Sequence, residues 1–187
     1  SYGQKSLGMF TWHGTAKPAT FVTDDGQEYT VKTLGNYGVG LKADSAYRMT
    51  IYFAAEKNSN MVTLYQLAHV PVLGDSTHIE AKSDKLSKIG SIWMGGGYIN
   101  ATLYFPHDGS PVMMQTVAYR IDKTEPLGSA RNIHISLLYL QNSVPARYDE
   151  SICVSIDPKR LKVQPGDRIT LHTETKDYGI DQKTFDF

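Results

Sequence analysis

Six histidines, one cysteine and an acidic turn are the groups in this sequence with the richest chemistry, and their spacing decides how much of it they can perform. His13, His69, His78, His107, His134 and His172 are scattered along the chain. No two stand as HxH, HxxxH or HExxH, the spacings that place donors together on one local element. A metal centre would need donors gathered from distant segments, and the histidines read as residues of turns and outward strand faces. Cys153 lies between Ile152 and Val154 with the opposite parity. A nucleophilic thiol needs a nearby base or positive field, and no histidine adjoins it in sequence. It reads as a small inert residue on a sheet. Asp24-Asp25-Gly26-Gln27-Glu28 has the acids of a calcium loop without the EF-hand ligand spacing; a turn accounts for both the aspartates and the glycine. Gly95-Gly96-Gly97 lacks the Lys-Ser/Thr of a phosphate-binding loop and is flanked by strand-like residues, so it reads as a bend or bulge. The GxSxG pattern of serine hydrolases does not occur. A carboxylate pair for glycoside hydrolysis needs only to meet in space, and nothing in the sequence selects two acids. No catalytic, metal or cofactor residue is therefore assigned, and the chain reads as a non-enzyme.

Trp12, Trp93 and the tyrosines are the remaining candidates, as a platform for a carbohydrate or a peptide. Aromatics in β-rich domains more often form core and cross-strand pairs. Trp93, beside Ile92 and just before the glycine bend, reads as a buried core or interdomain anchor.

The elements that must position these residues are strands. Phe21-Val22-Thr23 and Tyr29-Thr30-Val31 flank Asp24-Asp25-Gly26-Gln27, and Asp-Gly is a strong hairpin signal. Residues 46–54 alternate Tyr47, Met49, Ile51 and Phe53 against Arg48, Thr50 and Tyr52; after a polar turn, residues 61–68 return as a second apolar-rich strand. The pattern lapses over 71–88, which holds Pro71, Gly74 and Lys82, Lys85 and Lys88, and this stretch is the best linker in the chain. Strands resume at 90–94, 97–105 and 112–121, the last two separated by a turn at 107–111. Loops are expected at 123–130 and 142–147, with a strand over 133–140 between them. Ile152, Val154 and Ile156 point inward from another strand, and Asp157 caps a short helical turn begun by Pro158. Gln164-Pro165-Gly166-Asp167 makes a tight turn into what reads as the last strand, through Ile169, Leu171 and Thr173.

The 187 residues are 41% hydrophobic and 20% charged, which excludes a disordered chain. No apolar run approaches the ~20 residues of a membrane-spanning helix, and no signal peptide is present. Lysine plus arginine equals aspartate plus glutamate, at 19 each. Nucleic-acid binders gain affinity by neutralising phosphates, so this balance argues against such a partner. One cysteine permits no intrachain disulfide. The reading is all-β, in two domains: residues 1–75, a linker over 76–84, and residues 85–187.

Four stretches, in order, resemble the NigD-like family. Phe21–Tyr29 is similar to its "(L/V)-V-T-D-D-G-K-x-(Y/L)" hairpin and Gly40–Arg48 to its "GLKADxxYR" element; Ser91–Asn100 is similar to "SIWxSGxYIN" and Gly166–Ile169 to "GDSIxF". The resemblance covers nearly the whole chain. It implies an N-terminal OB-like β-barrel followed by a C-terminal β-sandwich, in a lipoprotein exported by Gram-negative gut anaerobes and held at the outer membrane. The lipidated cysteine would belong to a removed segment, since none precedes Ser1, and Ser1 reads as the start of a trimmed or mature form. The family name comes from a bacteriocin gene cluster and carries a suggested immunity role, but no catalytic residues. The expected function is that of a non-enzymatic cell-envelope protein that binds or scaffolds a protein or glycan. The alternatives are bacteriocin immunity, and a hydrolase whose acids come from separate strands.

Overall fold

A computed structural model describes residues 3–32, 40–76, 84–107, 115–141 and 148–187. The expected turn over 107–111, the loop over 142–147, and His78 and Lys82 lie outside this description in whole or in part. The chain is all-β, and the described residues contain no α-helix. It divides into two compact units. One comprises Ser1–Pro71 with Gly95–Gly97, the other Val72–Met94 with Tyr98–Phe187.

The first unit is a closed barrel of β1 (Gln4–Trp12), β2 (Thr20–Thr23), β3 (Glu28–Val31), β4 (Ser45–Ala55) and β5 (Met61–His69), in the order β1-β2-β3-β5-β4. β1 pairs antiparallel with both β2 and β4 and so closes the ring, while β3 and β5 run parallel. Closure leaves no free edge. The alternation anticipated in β4 sends Met49, Ile51 and Phe53 into the barrel with Phe10, Phe21, Val31 and Val62. The Asp-Gly hairpin between β2 and β3 is present: Phe21 faces Tyr29, and Gly26 takes a φ of +89°. Within the turn the Gly26 N–H donates to Thr23 O and the Thr23 N–H to Gln27 O, both at 2.9 Å. Asp25 accepts from the Thr23 hydroxyl. The acidic turn is thus a local hydrogen-bonded structure.

Arg48 breaks the alternation rule in an informative way. It faces away from the barrel core, yet its side chain is only 1% exposed. Its guanidinium donates to Asp24 Oδ1 at 2.5 Å and Oδ2 at 2.8 Å, and reaches Gly95 O at 3.5 Å. A β-carbon on Gly96 would collide with the Asp24 carboxylate. Burying a guanidinium is tolerated because a carboxylate meets it in two-pronged geometry.

The second unit has two sheets. β6 (Lys88–Gly95), β7 (Tyr98–His107) and β10 (Tyr148–Ile156) form one, in the order β10-β7-β6. β8 (Gln115–Leu127), β9 (Ala130–Gln141), β11 (Arg168–Thr175) and β12 (Gly179–Asp186) form the other, in the order β12-β11-β9-β8. Both contribute to one core, with Leu103, Phe105, Val154 and Ile156 from the first and Ile133, Ile135, Ile169, Leu171 and Phe185 from the second. Asp157 caps the 3-10 turn Pro158–Leu161 as expected, its side chain accepting from the Lys159 N–H at 3.0 Å. Gly96 and Gly97, with φ of +62° and +83°, form the β6–β7 turn, the left-handed pair that a type I′ hairpin requires.

Three expectations are corrected. Residues 123–130 are not a loop. β8 runs on to Leu127 and turns through Gly128-Ser129 directly into β9. Pro126 fits within it because β8 is an edge strand, where a missing N–H is tolerated. The strand after Gly166-Asp167 is not the last, because the polar β12 follows it; its mostly exposed residues give no apolar alternation to detect. β1, with Gly8 and few alternating apolar residues, also went unread. Val72, Leu73 and Asp75, assigned to the first domain by the sequence, make contacts within the second unit: Val72 bridges to Ser155, Asp75 to Tyr119, and Leu73 is buried in its core.

Gly26 is the position where the hairpin chemistry is most exposed to test. Open space surrounds it, so a substitution there acts through the backbone alone. Gly26→Val should lower stability by about 1 kcal/mol or more, read as a shift in the urea midpoint with an unchanged slope.

Candidate functional site

The turn Gln164–Asp167 delivers a carboxylate to the start of two strands at once. Asp167 Oδ2 accepts the Gln164 N–H at 2.8 Å, and Asp167 Oδ1 accepts the Arg131 N–H at 2.9 Å. The Arg131 guanidinium adds a 3.0 Å ion pair to Oδ2 and a 2.9 Å bond to Lys162 O. The side chain is buried, and the Gln164 N–H, followed by Arg131, holds it below the usual carboxylate range. Asp167 directly precedes β11 and Arg131 is near the start of β9, so the carboxylate ties the beginnings of these neighbours together. They pair in parallel with Arg168 opposite Asn132, Thr170 opposite His134 and His172 opposite Ser136.

Parity follows from this register. Ile133, Ile135, Ile169 and Leu171 turn into the core. Asn132, His134, Ser136, Thr170 and His172 share the opposite face. There the Thr170 hydroxyl donates to Asn132 Oδ1 at 2.8 Å. On the adjacent β8 a bulge at Ile121–Lys123 inserts Asp122, which accepts from the Ser136 hydroxyl at 2.5 Å and from Arg120 Nε at 2.9 Å.

At the centre of this face His134 Nδ1 lies 2.9 Å from His172 Nε2, and His134 Nε2 lies 3.0 Å from Glu125 Oε2. The two rings are 5.1 Å apart between centroids and inclined by 19°. The chain of bonds assigns the tautomers: His172 Nε2–H donates to His134 Nδ1, and His134 Nε2–H donates to the Glu125 carboxylate. Lys123 Nζ pairs with the other Glu125 oxygen at 2.8 Å. Lys123 first, and His134 after it, hold the Glu125 carboxyl below its ordinary range. Among the described residues, no group of three or more His, Cys, Asp or Glu side chains is placed to hold a metal ion.

The remaining residues singled out by the sequence lie elsewhere. His13 bridges Asp44 and Thr20 on the barrel, each at 3.3 Å, and His69 packs edge-on against Tyr47. Cys153 pairs with Thr102 in the β7–β10 ladder, partly exposed, while Ile152, Val154 and Ile156 face the core as expected. Trp12 packs against the barrel core. Trp93, expected to be buried, is half-buried, and its strand turns Ile92 onto the core. Tyr52 and Tyr65 form an exposed ring pair 5.4 Å apart on the barrel. A pocket of about 190 Å³ lies over β2 and β3, lined by Val22, Glu28, Thr30 and Asn60 among others.

The histidine pair was not read from the sequence. Each histidine alternates with buried residues, in Ile133-His134-Ile135 and Leu171-His172-Thr173, which places both on outer faces. Their adjacency depends on a parallel pairing across 38 residues, and no local pattern encodes it.

No family model matches the chain, and no curated protein is similar to it in sequence. Solved structures are. A protein of Parabacteroides distasonis described as toxin-related superposes over 100% of this chain and 93% of its own, with a TM-score of 0.73 and 11% identity. A NigD-like immunity protein of Bacteroides caccae is similar over 96% of this chain and 91% of its own, with a TM-score of 0.70 and 18% identity. The fold of this chain is like that of the NigD-like protein. A Bacteroides fragilis protein described as a lipoprotein is similar over 97% of this chain and 96% of its own, with a TM-score of 0.63 and 11% identity. None of the three is described as an enzyme. The structure of this chain places the four motif stretches at structural necessities: the Asp24 turn, its Arg48 partner, the Gly96 turn and the Asp167 carboxylate.

Asp167 makes the stability of the second unit depend on acid. Its carboxyl titrates lower in the folded chain than in the unfolded one, so it contributes stability above the unfolded value, near pH ~4, and loses it as pH falls through the folded value. Asp167→Asn should lower the urea midpoint at pH 7, and the difference from the unmodified chain should shrink as pH falls from ~4 toward 2.

Proposed function

We propose that this chain is a non-catalytic, exported protein tethered at the bacterial cell envelope, where it holds a protein partner through the β11–β12 hairpin. The observation that carries this reading is the state of that hairpin. Ile180 is 81% exposed and Tyr178 74% exposed, on and beside an edge strand of the four-stranded sheet. Large apolar side chains held in water beside a strand that pairs on one side only among the described residues are what partner recognition uses, by burial of the side chains and by strand addition. An aliphatic side chain at the tip favours a protein over a glycan, since sugars are held chiefly by aromatic stacking and hydrogen bonds. The acids gathered on the outer face fit a structural role better than hydrolysis. Asp122 is engaged by Ser136 and Arg120, and Glu125 by Lys123 and His134.

The placement at the envelope rests on the fold likeness to a protein described as a lipoprotein. An immunity role, the description carried by the Bacteroides caccae protein, is a narrower form of the same proposal in which the partner is a toxin.

The test compares two baits in a pull-down from the solubilised envelope fraction, the unmodified chain and a Tyr178→Ala, Ile180→Lys double variant. Surface changes of this kind alter stability by about 0.5 kcal/mol or less, so both baits should melt alike. At least one protein should be retained by the first and depleted tenfold or more with the second. Identical sets on both baits would overturn the proposal, and the identity of a depleted protein separates immunity from scaffolding.

A further inference from the structure

The β11–β12 hairpin ends in a strand whose charges are arranged to match themselves. β12 pairs with β11 along its whole length and, among the described residues, has no backbone partner on its other side. The opposite edge of the same sheet is occupied, because β8 exchanges backbone bonds with Gly74 and Ser76 at Tyr119. Gly179 to Thr184, six consecutive residues of β12, are all exposed. We propose that β12 is a self-docking edge, on which a second copy of this chain adds its own β12, antiparallel, about a two-fold axis at Gln182. The proposal rests on the reading that this hairpin holds a protein, and it names that protein.

Parity along β12 follows from its register with β11. Phe185 lies opposite Ile169 and turns into the core, so Asp181 and Lys183 belong to that face. Ile180, Gln182 and Thr184 lie opposite Glu174, His172 and Thr170, on the outer face. A two-fold axis perpendicular to a sheet keeps the faces of both copies aligned, so residues of like parity meet across it. Centred on Gln182, the pairing sets Asp181 of each copy opposite Lys183 of the other, and Ile180 opposite Thr184. Opposed β-carbons in an antiparallel pair are ~4.5–5.5 Å apart, within reach of an ion pair. Centred on Asp181, the axis would set two carboxylates face to face; centred on Lys183, two ammonium groups. Like charges directly opposite are destabilising, so the charges of β12 select the middle register. The same alignment covers Ile180, 81% exposed in the single chain, with a β-branched threonine.

Both charged groups are already positioned. The Lys183 ammonium donates to Ile92 O on β6, which steadies its stem and leaves two N–H groups for a carboxylate. Asp181 Oδ1 accepts the Gln182 N–H at 2.8 Å, which leaves Oδ2 for a lysine. A contact confined to one strand edge is small, so the dimer is weak, with a Kd on the order of 0.1 mM. Its ion pairs make it weaker still in high salt.

The test is sedimentation velocity of the purified chain from ~10 µM to ~1 mM, a range that brackets that affinity. The unmodified chain should pass from monomer to dimer. Asp181→Lys sets two ammonium groups opposite each other, and Lys183→Asp two carboxylates. Symmetry makes each substitution act twice, so each variant should dimerise at least tenfold more weakly. An equimolar mixture of the two variants regains both opposite-charge pairs and should dimerise as the unmodified chain does. Should either variant fail to fold, Gln182→Cys on a Cys153→Ser background decides. Mild oxidation should link two copies through that position, whereas Thr184→Cys on the same background should not link. The proposal is overturned if the chain stays monomeric at ~1 mM, if the single variants dimerise as well as the unmodified chain, or if their mixture dimerises no better than either alone. It is equally overturned if Thr184→Cys links as readily as Gln182→Cys. A monomeric chain that still retains an envelope protein through Tyr178 and Ile180 overturns this proposal and leaves the broader reading of the hairpin standing.

Discussion

The Asp167 carboxylate joins the Gln164 turn to the first residues of β9, and the pairing of β9 with β11 follows from where it sits. A parallel pair has no hairpin to fix its register, so something else must. In this chain a buried acid accepts the Arg131 backbone N–H and the Arg131 guanidinium together. A slip of β11 by one residue would send His172 inward and Ile169 and Leu171 into water. The core of the second unit and the polar face behind it are therefore two consequences of one alignment.

The barrel relies on a comparable device. Arg48 leaves the core side of β4 and is buried nonetheless, because Asp24 in the hairpin turn meets both of its terminal nitrogens. Such pairs add little net stability but are costly to break from one side, and they fix which groups come together. Gly96 is small for the same reason, since a side chain there would displace the carboxylate. Residues that look unrelated in sequence, at 24, 48 and 96, thus answer to one contact inside one compact unit.

Much of this was legible beforehand, and the boundary between what was and was not is physical. The period of two in β4 and in Ile152, Val154 and Ile156 of β10 reports an inward face, and those apolar residues do face the core. Asp-Gly and Gly-Gly report left-handed backbone, and Gly26, Gly96 and Gly97 adopt it. Edge strands carry weaker signals: β12 is mostly exposed and polar, and β8 tolerates Pro126, so both were under-read. Contacts between distant strands carry no local signal at all. His134 and His172 each looked like an ordinary outward residue, and only the β9–β11 register makes them a pair. Trp93 shows the converse, a residue whose size suggests full burial and whose place on the strand leaves it partly exposed.

The alignment of β9 with β11 is the claim from which the polar face and its chemistry follow, and the histidine rings report it without any mutation. In a chain labelled with nitrogen-15 histidine, the account predicts nuclear Overhauser contacts between the His134 and His172 ring protons, and a measurable coupling across the hydrogen bond from His172 Nε2 to His134 Nδ1. Rings that show neither contact nor coupling at neutral pH, in a chain whose Ile133 and Ile169 remain in the core, would contradict it.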